Sequence, residues 1–208
     1  MKLLRETIRK LILQEGMITA DQLPEDVIIR IKEFGSRSAR IQYAWFDDRQ
    51  QKLFPIGIYS REDPVKDEYP DCWGTILIQK DVNGIPVWQV TSSTAGQGYG
   101  PLLYDIAMEY ATQNGLGLMS DRSSVSEGED GAVNVWNYYL ENRVGNDVTA
   151  HQMDDKANTL TDTYDDNVNQ HTPKGFAPGG KWPEHSTSKR YTKAPTTMNA
   201  LDGRIIYK

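Results

Sequence analysis

The 208-residue sequence predicts an α/β fold of the α+β kind: a mixed, mostly antiparallel sheet with one strand–Gly-loop–helix–strand unit. Three observations predict it. Strand-like runs follow one another between Arg40 and Ser92, as an antiparallel meander does. Gly96-Gln97-Gly98-Tyr99-Gly100 then stands between a strand pattern and a helix pattern. After that helix, Leu116-Gly117-Leu118-Met119-Ser120 reads as a further strand, so strand, helix and strand imply a parallel pair with a right-handed crossover.

Each element has its own signal. Leu3, Leu4, Ile8, Leu11 and Ile12 share one face of an opening helix, with Lys2, Arg5, Glu6, Arg9 and Lys10 elsewhere. Such a helix docks on its own domain or on a partner; its basic, amphipathic character also suits a membrane surface. A second helix is expected from near Pro24 to Phe34 through Val27, Ile28 and Ile31, closed by Gly35, and 1–36 is an N-terminal helical segment. The core, 37–144, opens with strands from Arg40 to Phe46, Leu53 to Tyr59, Cys72 to Lys80 and Ile85 to Ser92. Asn83-Gly84 marks a tight hairpin between the last two.

Behind Pro101, which suits a first helical turn, Leu102, Leu103, Ile106, Ala107, Tyr110 and Ala111 recur at helical spacing up to Asn114-Gly115. Gly131 to Asn142 carries Ala132, Val135, Trp136, Tyr139 and Leu140, an amphipathic helix. From Gly145 aliphatic residues thin out, and Asp, Asn, Thr, Gly and Pro dominate. The prolines and glycines from His171 to Pro183 exclude regular helix there. The segment 145–208 therefore reads as a polar Pro/Gly-rich arm. Its one strand is Arg204 to Tyr207, behind the turn Asp202-Gly203, returning to the sheet.

Composition narrows the function classes. A formal charge of −6 and a pI of about 5.1 argue against a general nucleic-acid surface. No apolar run approaches the ~20 residues that cross a bilayer. Cys72 is the only cysteine, so no intrachain disulfide forms, and a reducing, cytoplasmic setting is expected. His151, His171 and His185 match no compact metal spacing, so no metal is expected. A Gly-x-Ser-x-Gly elbow and a Gly-Lys-Ser/Thr are both missing, against a hydrolase triad and a nucleotide triphosphatase.

The glycine loop is the strongest functional signal. Glycines at every second place let the backbone turn tightly and leave amides uncovered, and the dipole of the following helix favours an anion. Together they make a phosphate cradle of Gly96, Gln97, Gly98, Tyr99 and Gly100, with Pro101 starting the helix.

From Trp73 to Leu140 the order of hairpin, Gly-x-Gly-x-Gly, helix, strand and second helix resembles the GNAT superfamily of N-acetyltransferases. In that family the loop reads Arg/Gln-Gly-x-Gly-x-Gly/Ala; here it is Ala95-Gly96-Gln97-Gly98-Tyr99-Gly100, with Ala95 in place of the polar residue. The resemblance implies an acyl-CoA N-acyltransferase-like fold. It also implies loop amides on the pyrophosphate of acetyl-coenzyme A, and a pantetheine arm between two splayed strands, bordered by Val90 and Ser92. The activity implied is acyl transfer from the thioester to an amine.

Two family features are missing. The strand before the loop carries no carboxylate to serve as a base, and the position four beyond Ala132, where the family often has a Tyr acid, is Trp136. Tyr138 and Tyr139 are the neighbouring candidates, and Tyr139 is taken as the acid. Ser120 and Asp121, at the carboxyl end of the strand after the helix, could face the thioester or cap the turn; Asp121 is carried as a polar site residue. The two helices that wall the family's acceptor pocket are displaced, so the amine is not defined. The rival expectation is a structural protein that kept the fold and lost the chemistry. It resembles tailed-bacteriophage virion components, and its arm would serve homo-oligomer or virion assembly.

Overall fold

The computed structural model describes residues 17–47, 52–55, 72–80, 86–96, 98–121, 132–154 and 182–208. The opening helix, Gln97, the Asn83-Gly84 turn, Ser123 to Asp130 and His171 lie outside the described residues, as does the strand expected beyond Pro55.

Nine strands among the described residues form one mixed sheet. The first corrects the sequence reading: the segment expected as a second helix is strand β1, Val27–Phe34. Val27, Ile29 and Ile31 are fully buried while Arg30 and Lys32 are not, the period of two that a half-covered strand needs. Gly35, at φ +63°, turns the chain into β2, Ser38–Asp47, rather than closing a helix. The pairing is antiparallel, from Phe34 opposite Ser38 to Val27 opposite Trp45. Strand β3, Lys52–Pro55, also pairs with β2.

Strands β4, Gly74–Lys80, and β5, Trp88–Ala95, form the expected hairpin ladder. Its register shifts between Leu77 and Ile78, where Leu77 faces Ser92 and Ile78 faces Val90, so Thr91 bulges out. Helix α1, Gly100–Gln113, follows the glycine loop and buries Leu102, Leu103, Ile106, Ala107, Tyr110 and Ala111. It returns the chain to β6, Leu118–Met119, which runs parallel to β5 as expected. Gly117 makes that return possible: its φ is +110°, and a Cβ there would lie 2.4 Å from the Tyr191 carbonyl oxygen.

Helix α2, Ala132–Tyr138, widens into a π-turn over Tyr139–Arg143, marked by the Val144 amide donating to the Tyr139 carbonyl at 3.0 Å. Beyond Gly145 the structure holds more than the single strand the sequence suggested. Strands β7, Val148–Gln152, and β8, Lys189–Lys193, extend the sheet past β6. Helix α3, Thr196–Ala200, packs on α1. The terminal strand β9, Ile205–Tyr207, does return, pairing parallel with β1. The order is β7-β8-β6-β5-β4-β2-β1-β9, with β3 beside β2. No helix among the described residues is long and apolar enough to cross a membrane.

Candidate functional site

The glycine loop is tied down more tightly than its sequence suggests. The Gly96 amide donates to the Trp73 carbonyl at 2.9 Å, and the Tyr99 amide donates to the Gly96 carbonyl at 3.1 Å. Two of the expected cradle amides are thus consumed internally. Gly98 takes φ +82° and its carbonyl accepts from the Ile18 amide at 3.0 Å. The Tyr99 ring is buried edge-on against Tyr43, whose hydroxyl donates to the Tyr99 carbonyl at 2.7 Å. The first-turn amides of α1 at Gly100 and Leu102, which no helix satisfies from within, are donors that an anion at this helix start would meet.

Beside that first turn the sheet opens. The β5–β6 ladder has two pairs, Trp88 with Leu118 and Gln89 with Met119. From Val90 to Ala95, β5 has no strand partner on that side among the described residues. A cleft of about 360 Å³ lies at this edge. Ser93, Thr94 and Ala95 of β5 line one side, Gly100, Leu103 and Tyr104 of α1 the floor, and Ala132 and Val135 of α2 the other side. Thr75 and Ile76 of β4 complete it. Its size is that of a small-ligand pocket.

The polar groups of this cleft are neutral hydroxyls. Ser93 Oγ lies 2.9 Å from the Tyr104 hydroxyl, and Thr75 Oγ1 is buried with no hydrogen-bond partner. Burial pushes the Tyr104 phenol above its ordinary range, opposed by the Ser93 hydrogen bond, so it stays protonated at neutral pH. Its ring stands edge-on to Trp136 at 5.7 Å, and Trp136 stacks on Tyr191. Sequence reasoning passed over these residues. The signal was the hydroxyl run Ser92-Ser93-Thr94 ending the strand, with Tyr104 one helical turn after Gly100.

The residues expected from the sequence do not converge on one place. Gly100 lines the cleft; Val90 is buried in the core and Ser92 is exposed next to the lining residues. Pro101 lies instead on the opposite flank of α1, in a second cavity of about 370 Å³. Tyr139 belongs to that flank too. Fully buried, its hydroxyl donates to Asp105 Oδ1 at 2.6 Å and leans on the Pro101 carbonyl at 3.3 Å. Burial, then the Asp105 charge, pushes this phenol well up. It is a clamp between helices, not a hydroxyl beside the cleft. Asp121 is half-buried just after β6, and Ser120 beside it is buried with its Oγ unpartnered.

The second cavity is charged. Arg143 bonds Asp147 through Nε at 2.8 Å and through Nη2, and reaches Asp105 Oδ2 at 3.2 Å. Buried Lys193 pairs with buried Glu109 and donates to Thr196 Oγ1 and Thr197 Oγ1 at 2.7 and 2.9 Å. Glu109 also accepts the amides of Thr197 at 2.8 Å and Met198 at 2.7 Å, holding the start of α3. Every ion in the network is answered. No group of three metal-ligating side chains occurs among the described residues.

Comparison with family models, with curated proteins and with solved structures returns no match for this chain.

Proposed function

We propose that this protein binds acetyl-coenzyme A in the cleft beside β5 and transfers its acetyl group to an amine, as a GNAT-type N-acetyltransferase. The observation that carries the reading is the early end of the β5–β6 ladder, which leaves a cleft at the first turn of α1. An extended arm of amides fits along an unpaired strand edge, and a phosphate fits at a helix start. The phosphate contacts are fewer than the sequence implies, because the Gly96 and Tyr99 amides are engaged. The lining of neutral hydroxyls matches the uncharged arm of the ligand. No carboxylate or imidazole lines the cleft among the described residues, so the acceptor attacks as its free amine.

A second reading draws on the clamped Tyr139 and the engaged loop amides: a non-catalytic structural protein, of the phage virion type, that keeps this fold. Its assembly cannot be probed by removing residues 145–208, since β7, β8 and β9 would leave the sheet with them. Isothermal titration of the full chain with coenzyme A and acetyl-coenzyme A separates the two. Saturable binding at micromolar ligand supports the first reading; no heat up to about 1 mM, weaker than about −4 kcal/mol, leaves the second.

A further inference from the structure

We propose that the Ser93–Tyr104 hydroxyl pair is the cleft's hydrogen-bond donor to a ligand carbonyl, a holding role distinct from the acid role that the sequence gives to Tyr139. The inference rests on the acetyl-coenzyme A reading and goes on to name the donor within that site.

Position comes first. Ser93 and Tyr104 both line the cleft and stand 2.9 Å apart, on the strand and the helix that form its two adjoining walls. Rigidity comes next. Tyr104 is 4 % exposed, and its ring is held edge-on by Trp136, itself stacked on Tyr191. A preoriented donor loses little freedom when a ligand arrives. Capacity comes third. Two hydroxyls carry two O–H donors, and the bond between them uses one, so one O–H is left for an acceptor in the cleft.

What such a pair recognises is a carbonyl oxygen, amide or thioester. Burial keeps the phenol protonated, which suits a donor to an oxygen gaining negative charge and does not suit a base. In acetyl transfer the amine nitrogen forms the C–N bond, the C–S bond breaks, and the proton lost from nitrogen equals the proton gained by sulfur. The Ser93–Tyr104 pair gives up no proton in that sequence. It holds the carbonyl.

The test uses the full chain with two probes, acetyl-coenzyme A and S-acetyl-pantetheine, which lacks the nucleotide and the pyrophosphate. Binding is read by titration calorimetry and by the intrinsic fluorescence of the five tryptophans, among them Trp136, against which the Tyr104 ring rests. Tyr104→Phe keeps the ring packing and Ser93→Ala removes the partner; thermal midpoints within a few degrees of wild type certify folding. Expected is a roughly tenfold weaker affinity for both probes in Tyr104→Phe, the worth of one good hydrogen bond, with a smaller loss in Ser93→Ala. Unchanged affinities in both variants and in the double variant Ser93→Ala/Tyr104→Phe, with wild-type binding intact, overturn the donor assignment and leave the coenzyme reading standing. Sensitivity to Tyr104→Phe for S-acetyl-pantetheine, with no gain from the nucleotide half, keeps the donor and sinks the phosphate cradle. Failure of wild type to bind either probe overturns both.

Discussion

Helix α1 is flanked by two cavities of nearly equal size, about 360 and 370 Å³, built on opposite principles. One flank gathers Asp105, Arg143, Asp147 and Lys193 and gives each of them an ionic partner. The other holds no charged residue, yet leaves Thr75 Oγ1 unpartnered and one hydroxyl proton of the Ser93–Tyr104 pair uncommitted. Charge density therefore points the wrong way here. A buried network whose partners are all internal is a fastening, and removing a partner costs the desolvation of the group left behind. A neutral cleft with spare donors at an open strand edge is where a ligand adds something.

The largest effect that tests this contrast comes from the fastening. Lys193 and Glu109 are almost fully buried side chains brought together from β8 and α1. Lys193→Met strands the Glu109 carboxylate, and a loss of about 3–5 kcal/mol in urea unfolding is expected. Glu109→Leu combined with Lys193→Met recovers part of that loss, though not all, because Glu109 also holds the Thr197 and Met198 amides. A single variant within about 0.5 kcal/mol of wild type would mean that the charged flank is slack enough to serve as a site.

That pair also shows why part of the fold was hidden in the sequence. Lys189-Arg190-Tyr191-Thr192-Lys193 reads as a solvated run, yet it is β8, and Lys193 is buried. Its burial depends on Glu109, 84 positions away, which no local pattern reports. The hairpin, the glycine loop, α1 and the parallel return to β6 were legible because apolar residues and turn residues mark them at short range. The misreading of β1 was local. Val27, Ile28 and Ile31 suit a helix face, while the deciding alternation of Val27, Ile29 and Ile31 becomes plain only once β2 lies alongside. In the candidate site the loop was found and its lining was not. Spacing along a helix points to Tyr139, whereas only the fold places Tyr139 and Tyr104 on opposite flanks of α1.

A smaller effect distinguishes the two aspartates that share Arg143. Burial raises the Asp105 carboxyl above its ordinary value near 3.8, despite Arg143 and Tyr139. The Arg143 hydrogen bond lowers Asp147, which is more exposed. The signs differ. A raised carboxyl means the native state holds its proton longer, so stability falls as pH climbs from 3.8 through the native value. A lowered one contributes stability that is present above 3.8 and lost as pH falls. Asp105→Asn should therefore flatten a decline seen in wild type above pH 3.8, and Asp147→Asn should flatten an acid-side loss. Urea midpoints measured from about pH 3 to 7 check both. Identical profiles for the two variants would show that the flank does not separate a buried from a solvated acid.

The smallest effect on stability is the sharpest on the cleft. Gly100 opens α1 and lines the cleft, and a Cβ there would meet only Ala95 Cβ, at an ordinary 3.8 Å. Gly100→Ala thus fits without strain, and stability should hold or rise by a few tenths of a kcal/mol, since alanine is the better helix former. The added methyl stands beside the first-turn amides, where an anion would approach. Coenzyme A affinity should fall roughly tenfold, about the value of one hydrogen bond to a charged group, while S-acetyl-pantetheine, lacking the pyrophosphate, is held as before. Equal losses for both ligands would move the effect from the phosphate to the arm, and no loss for either would separate the helix start from the ligand altogether.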